Sequence, residues 1–364
     1  MKLLHGIVIT LLFSSAVYAQ QDIELNGTTK YPLAKVSRNS VRFSTSPNKF
    51  VRLLNMNLSE KAWKKLEEPV LASSEKNTFS ANHKNLPRQV QLGMNQVPVL
   101  DQGPYGTCVT FAITAAVDAA SNHGDYISQL CQLELGQYLE NITSGSILSG
   151  WDGSMGQMVL NQMDNFGFVT KGIEQTIGCG GLTSYPTDGN IPENELNLPD
   201  YGKISTDMSD FSVNVGWSSL MDSYQAFIDD IDREQILTAV KDALNTGDRL
   251  TFGVLLFSPQ MGVVGAVGKH TVPNDTWVIS PSINGTINIH DIHGGHEMII
   301  TGYDDDAIAT DEEGLTYTGL LTLRNSWGKS SGDAGNFYMS YDYFKRLVVE
   351  VQRIRQLGAL DRRT

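Results

Sequence analysis

The sequence predicts an α+β fold in which helices come first and strands follow. Three observations carry this. Apolar residues at helical spacing concentrate between residues 107 and 244. From residue 250 onward the apolar runs are short or alternating, and Gly and Asp turns separate them. No internal repeat interrupts that order, so segregated helical and strand-rich parts are expected. The chain has 364 residues, enough for one two-lobed domain plus an accessory segment.

Residues 1–19 read as a secretory signal. Lys2 supplies the positive start, Ile7 to Ala16 the apolar stretch, and Val17-Tyr18-Ala19 a small-x-small cleavage site before Gln20. The competing reading is a buried N-terminal strand. The stretch is too short to span a membrane, and no later run approaches about 18 apolar residues. The expected compartment is therefore extracytoplasmic: secreted or periplasmic.

Residues 20–56 look rich in strand and loop, with Val41-Arg42-Phe43-Ser44 and Phe50-Val51-Arg52-Leu53 alternating at period two. Asn57-Leu58-Ser59-Glu60 reads as a capping box opening a short helix through Trp63 to about Glu67. Leu71 to Asn85 is polar and aperiodic, a linker open to proteolysis.

From Leu86 the character changes. Thr107 to Ala120 is a helix whose small-residue face, Phe111, Ala115, Ala116 and Ala119, suits close burial. Gln129 to Asn141 is a second helix. Met155 to Phe166 is a third, closed by Gly167. Residues 183–230 look loop-rich, and Glu234 to Leu244 is a fourth helix. Strands are expected at Leu250–Phe257, Met298–Tyr303, Gly319–Arg324, Asn336–Ser340 and Val348–Arg353.

The net charge is −13, which argues against nucleic acid as a partner. That average hides an asymmetry. Residues 20–85 carry 11 basic and 6 acidic residues, whereas residues 86–364 carry 15 and 34. A basic segment tethered to an acidic body is attracted to it, unless the contrast is chance composition. Three cysteines are too few for a disulfide scaffold and fit one functional thiol plus one bridge.

The chemistry is concentrated in two segments far apart in sequence, Gln102-Gly103-Pro104-Tyr105-Gly106-Thr107-Cys108 and Arg324-Asn325-Ser326-Trp327-Gly328, with Gly294-Gly295-His296 between them. A thiol attacks a carbonyl only as thiolate. Cys108 stands at a helix start, where unpaired N–H groups favour an anion, and an adjacent imidazolium would depress its pKa further. Without its surroundings it would read as a packed core residue. Gln102 and the backbone N–H of Cys108 could together hold a developing oxyanion. His296 precedes the strand-like run Met298-Ile299-Ile300 and is the base candidate. Asn325 would fix its tautomer, and Trp327 would shield that contact from water.

These residues carry a family resemblance. Gln102-Gly103-x-x-Gly106-x-Cys108-x-x-Phe111-Ala112 resembles the cysteine segment of papain-like cysteine peptidases. Gly295-His296 with Ile299-x-x-Gly302-Tyr303-Asp304 is similar to the family's histidine strand. Asn325-Ser326-Trp327-Gly328 with Gly332-x-x-Gly335-Asn336-Phe337 is similar to its asparagine segment, and Gly150-Trp151-Asp152-Gly153-Ser154 resembles its Gly-rich strand. The resemblance covers roughly residues 86–355. It implies a two-lobed fold, a helical lobe over about 86–200 and an antiparallel β-barrel-like lobe over about 201–364, with the cleft between them. It implies peptide-bond hydrolysis through a thioester, with Gly153 and Ser154 lining the substrate backbone. Residues 20–85 become a propeptide covering the cleft, held less firmly as carboxylates protonate in acid.

This chain also departs from the family pattern. Tyr105 and Trp151 stand where the family has a bridged cysteine pair, so both halves of that bridge are missing together and an aromatic contact could replace it. Val109 replaces the usual aromatic after the nucleophile. Glu297 replaces a small residue near the specificity pocket and would bias it toward a basic side chain. The histidine comes later than usual, implying an insertion within 185–290. Cys131 and Cys179 remain and are expected to pair in an exported protein, the alternative being two free buried thiols.

Other readings compete. His290, His293 and His296 recur every three residues, but Gly294-Gly295 and the missing second histidine of a zinc-peptidase helix disfavour a metal. A catalytically silent binding protein would keep the fold without an activated thiol, and slow alkylation of Cys108 near pH 6 would reveal it. An acyltransferase could use the same thiol with an amine acceptor. The expected working state is a monomer needing no cofactor, with a peptide or protein substrate and its own propeptide as partners. Five Asn-x-Ser/Thr sequons, at Asn26, Asn57, Asn141, Asn274 and Asn284, matter only in a glycosylating pathway.

Overall fold

The computed structural model describes residues 22–33, 49–68, 86–145, 147–206, 211, 214–223, 226–227, 231–257 and 264–357. The signal reading of 1–19, the alternating run at 41–44 and the linker at 71–85 lie outside these residues, as does the side chain of His293.

The chain folds as α+β around a large, mostly antiparallel sheet. It opens with a hairpin, β1 (Ile23–Pro32) paired antiparallel with β2 (Phe50–Leu58), followed by α1 (Glu60–Glu67). Ser59, not Asn57, caps α1, accepting from the Ala62 N–H at 3.1 Å. Ala62 occupies the position where a reciprocal glutamate would be needed, so the cap is one-sided.

Among the described residues, five helices with full bounds then precede the main strands. They are α2 (Cys108–Ser121), α3 (Gln129–Ile142), α4 (Gly156–Phe166), α5 (Lys171–Thr176) and α6 (Leu198–Ile204). Helix α2 is buried on every face from Cys108 to Ala119, wider than the stripe expected from its alanines. Its small side chains let it lie as a central rod, with α4 on one side and the sheet on the other. Ser128 caps α3 by accepting the Cys131 N–H at 2.9 Å.

The sheet runs β4 (Val215–Met221), β10 (Val348–Gln356), β5 (Arg249–Phe257), β7 (Ile292–Thr310), β8 (Thr316–Arg324), β9 (Asn336–Ser340), β6 (Thr276–Trp277). Among the described residues only the β6–β9 pair is parallel. Strand β7 is the axis. It pairs with β5 and β8, takes the short strand β3 (Gln89–Gln91) through Val90 and Tyr303, and accepts β2 through Leu54 and Gly295.

Strand β4 and helix α6 fall in the stretch expected to be loop. The helices Pro281–Asn288 and Tyr341–Leu347 and the short α5 were not foreseen either. Each has six to eight residues, too short for a periodic signal to stand out. The helix at Arg233–Asn245 matches its expected place, with Asp232 capping two N–H groups.

Candidate active site

Cys108 is the first residue of α2, with Thr107 as its N-cap. The Thr107 hydroxyl does not cap the helix; it meets the Tyr185 hydroxyl at 2.9 Å. Cys108 is a free thiol, fully buried, and the backbone N–H of Glu297 lies near enough to lower its pKa. That proximity brings the start of α2 against the start of β7, where His296 sits. The helix start was expected to depress the thiol pKa. Instead burial pushes it up to about 12, with only partial relief from the Glu297 N–H.

His296 is held on β7, opposite Val254 of β5. Its Nε2 lies 2.9 Å from Asn325 Oδ1. The same oxygen accepts the Ser326 N–H at 2.7 Å, so it is an acceptor, and His296 Nε2 must carry the proton. This leaves Nδ1 as the basic nitrogen. It is buried and has no hydrogen-bond partner among the described residues. Burial lowers the His296 pKa to about 4, so the ring is neutral. Trp327 stacks on the imidazole with centroids 4.5 Å apart and 24° between planes. Cys108, His296, Asn325 and Trp327 are thus gathered in one place.

Gln102 is fully buried nearby. Its Nε2 donates to the Tyr105 carbonyl at 2.9 Å and its Oε1 accepts from Ser326 Oγ at 2.8 Å. One amide N–H is therefore engaged, and one remains beyond that bond. Ser326 ties the glutamine segment to the asparagine segment, a link that no motif announced.

Gly153 and Ser154 face the N-terminal hairpin. Gly153 has φ 118°, and a Cβ built there would approach Leu54 Cδ2 to 2.6 Å. Leu54 thus lies directly over the glycine, while its backbone pairs with Gly295. Around it, Arg52 Nε donates to the Pro104 carbonyl at 3.0 Å, and Thr28 Oγ1 donates to Asp152 at 2.9 Å. Lys49 reaches Asp101 at 2.6 Å and the Trp327 carbonyl at 2.7 Å. Farther along, Trp63 stacks on His290 at 4.3 Å, and His290 Nε2 lies 2.7 Å from Glu67 Oε1. Lys49–Asp101 and Arg52–Asp152 have the polarity expected of a basic segment on an acidic body, but both are solvent-exposed pairs of small energetic value.

Glu297 is buried, not displayed in an open pocket. Neither of its carboxylate oxygens has a hydrogen-bond partner among the described residues. Glu350 of β10 lies beside it, accepting the Gly156 N–H at 2.9 Å. Burial, then Glu350, holds the Glu297 carboxyl protonated well above the usual range. The cavity that both acids line also touches His296 and Ser154 and is closed by Ile23, Leu54 and Met56 of the hairpin. Glu350 went unnoticed in the sequence because nothing local distinguishes it from other strand glutamates.

Cys131 and Cys179 form a disulfide. Tyr105 and Trp151 meet edge-to-face at 5.2 Å, the aromatic contact expected of that pair, and Tyr185 stacks on Trp151 at 5.8 Å. Among the described residues no three His, Cys, Asp or Glu side chains gather as a metal site, and no helix is long and apolar enough to cross a membrane.

No family profile and no curated protein matches the chain. Among solved structures it is similar to xylellain, a cysteine protease from Xylella fastidiosa, at 18% identity over 75% of this chain and 87% of that one, with a TM-score of 0.49. It is similar to digestive procathepsin L 3 of the Tenebrio molitor larval midgut, at 16% identity over 77% and 73% of the two chains, with a TM-score of 0.44. The clostridial cysteine protease Cwp84 gives 12% identity over 72% and 56%, with a TM-score of 0.45. At these scores the likeness is one of outline, and the reading of the site rests on its own geometry.

Proposed function

We propose that the protein is an exported, papain-like cysteine peptidase made as a precursor, in which residues 20–85 are a propeptide whose β1–β2 hairpin covers the cleft and residues 86–364 carry the catalytic unit. One observation carries this reading. His296 is tethered through Nε2 to Asn325, its Nδ1 has no partner among the described residues, and the N–H of the next residue, Glu297, lies near enough to the Cys108 thiol to act on its pKa.

In the open enzyme His296 Nδ1 takes the Cys108 proton. The thiolate adds to the scissile carbonyl, and the resulting oxyanion is held by the Cys108 N–H and a Gln102 amide N–H. His296 then protonates the leaving amine, giving a thioester on Cys108. Water, deprotonated by His296, attacks the thioester and releases the acid and the thiol. Asn325 keeps the ring oriented throughout, and Trp327 excludes water from the His296–Asn325 bond. Gly153 and Ser154 bind the substrate backbone where Leu54 now lies.

The cover explains a silent precursor. Burial is the leading cause of both unfavourable shifts, the raised thiol and the lowered imidazole. Water admitted with the cover removed relaxes both toward an ion pair. Glu297, with Glu350 beside it, would favour a basic side chain in the adjacent pocket once Ile23, Leu54 and Met56 leave it.

The test is a peptide-library digest with protein trimmed near residues 75–88, run beside the same protein carrying Cys108→Ala. Cleavage by the first and none by the second is expected. Equal cleavage by both sinks the proposal.

A further inference from the structure

Glu134 has no part in the site above. It lies in α3, fully buried, and neither carboxylate oxygen has a hydrogen-bond partner among the described residues. Its charged neighbour is another acid, Glu195, and burial with Glu195 pushes its pKa up to about 8.

A carbonyl oxygen faces the same space. Gly180, with φ 58°, packs so closely that a built Cβ would lie 2.6 Å from Glu134 Oε2 and 3.3 Å from the main-chain oxygen of Glu195. The walls are fixed. Leu196 N–H donates to the Glu134 carbonyl at 3.0 Å, and Asn141 Nδ2 donates to Glu195 Oε2 at 2.8 Å. Asn194 Nδ2 donates to the Gly180 carbonyl, and the Cys131–Cys179 disulfide anchors the neighbouring turn to α3. The nearby donors are thus engaged elsewhere, Asn141 with Glu195 and Asn194 with the Gly180 carbonyl, and among the described residues neither oxygen of Glu134 has a donor.

A buried carboxylate in that position needs either a proton or a cation. The donor set is all oxygen and hard, and its outer side is open to water because Asn194 and Glu195 are exposed. Calcium tolerates irregular oxygen shells and retained waters, whereas magnesium demands a compact octahedron. We propose that Glu134, the Glu195 carboxylate and the Glu195 carbonyl bind a calcium ion that clamps residues 178–196 onto α3. With two side-chain ligands the affinity falls in the range of about 10⁻⁴–10⁻³ M, typical of extracellular sites.

The clamp bears on the candidate active site through Tyr185 in the same segment. Its hydroxyl meets Thr107 Oγ1 at 2.9 Å and donates to the Gln102 carbonyl at 2.9 Å. An ion that orders residues 178–196 steadies the wall behind Cys108.

The test uses the purified full chain after EDTA treatment, titrated with calcium, with magnesium as comparison and terbium luminescence as a direct probe of binding. Expected are a Tm rise of roughly 3 °C at ten times Kd, a smaller effect of magnesium, and a terbium signal that calcium displaces. Glu134→Gln should lose both responses while keeping its Tm in EDTA, since a neutral amide replaces a buried acid. Absence of both responses in the wild type overturns the site and leaves Glu134 as a protonated acid. A calcium response that survives in Glu134→Gln also overturns it. Should that variant fail to fold, Glu195→Gln decides: weakened binding supports the site, and unchanged binding overturns it.

Discussion

Leu54 pairs in antiparallel register with Gly295, one residue before His296, and its side chain fills the space above Gly153. A single residue of the N-terminal hairpin therefore occupies both sides of the candidate cleft. Extended backbone added to a strand edge binds through main-chain hydrogen bonds, as a substrate would.

The cover makes labelling of Cys108 a direct reporter. Iodoacetamide at about pH 6 should modify the full chain slowly and the trimmed protein at least roughly tenfold faster, because only an exposed site supports the thiolate. Leu54→Asp in the full chain should accelerate labelling in the same direction. Equal rates in full-length and trimmed protein would mean that the hairpin does not silence the thiol.

Removing the base separates catalysis from binding. His296→Ala in trimmed protein should lower kcat by at least about 10²-fold with KM little changed. Asn325→Ala should lower kcat in the same sense, and its pH–rate profile should shift because the ring loses its fixed tautomer. A change in KM alone, measured by steady-state kinetics, contradicts the assigned roles.

Acid should loosen the covered form through His296. Its pKa is lowered by burial to about 4 from an ordinary 6.5, so the unfolded or opened state binds the proton more readily. Stability is thus lost as pH falls from about 6.5 toward 4, amounting to about 2 kcal/mol by pH 5. Chemical denaturation of the full chain at pH 7 and pH 5 should show this loss, and His296→Gln should reduce it. Glu297 acts in the opposite sense. Its raised pKa weakens the covered state as pH rises above the ordinary carboxylate range, and Glu297→Gln should flatten that limb.

Glu297 and Glu350 together test specificity. In trimmed protein, Glu297→Gln and Glu350→Gln should each lower kcat/KM for a peptide presenting Arg or Lys to the pocket, by about tenfold, while a Leu peptide is little affected. Parallel losses for both peptides, in matched kinetics, would remove the pocket's preference for cations.

The disulfide closes a span of 48 residues. Loop-closure entropy assigns it about 4 kcal/mol, so Cys131→Ala with Cys179→Ala should lower the midpoint of urea unfolding accordingly. A double variant with an unchanged midpoint would show the aromatic cluster of Tyr105, Trp151 and Tyr185 to be sufficient on its own.

The long elements were legible because their periods repeat often enough to stand out. Helix α3, the helix at Arg233–Asn245 and strands β5, β8, β9 and β10 lie within a few residues of their expected bounds. The short helices were marked only by caps that passed unread: Thr170, Asn197 ahead of Pro199, Ser280 ahead of Pro281, and Ser340. Strand β4 buries Val215 and Met221 only at its ends, so no alternation betrays it.

What the chain determined by itself was the chemistry on offer: a cysteine at a helix start, a histidine at a strand start, an asparagine beside an indole, and two further cysteines. Those are local patterns, written in neighbouring side chains. Only the tertiary structure decided their protonation and exposure, because desolvation depends on what packs from elsewhere. Leu54, Met56 and Ile23 arrive from residues far upstream to close the cavity, Glu350 arrives from the last strand to face Glu297, and the thiol that a helix start should acidify is instead held neutral by burial.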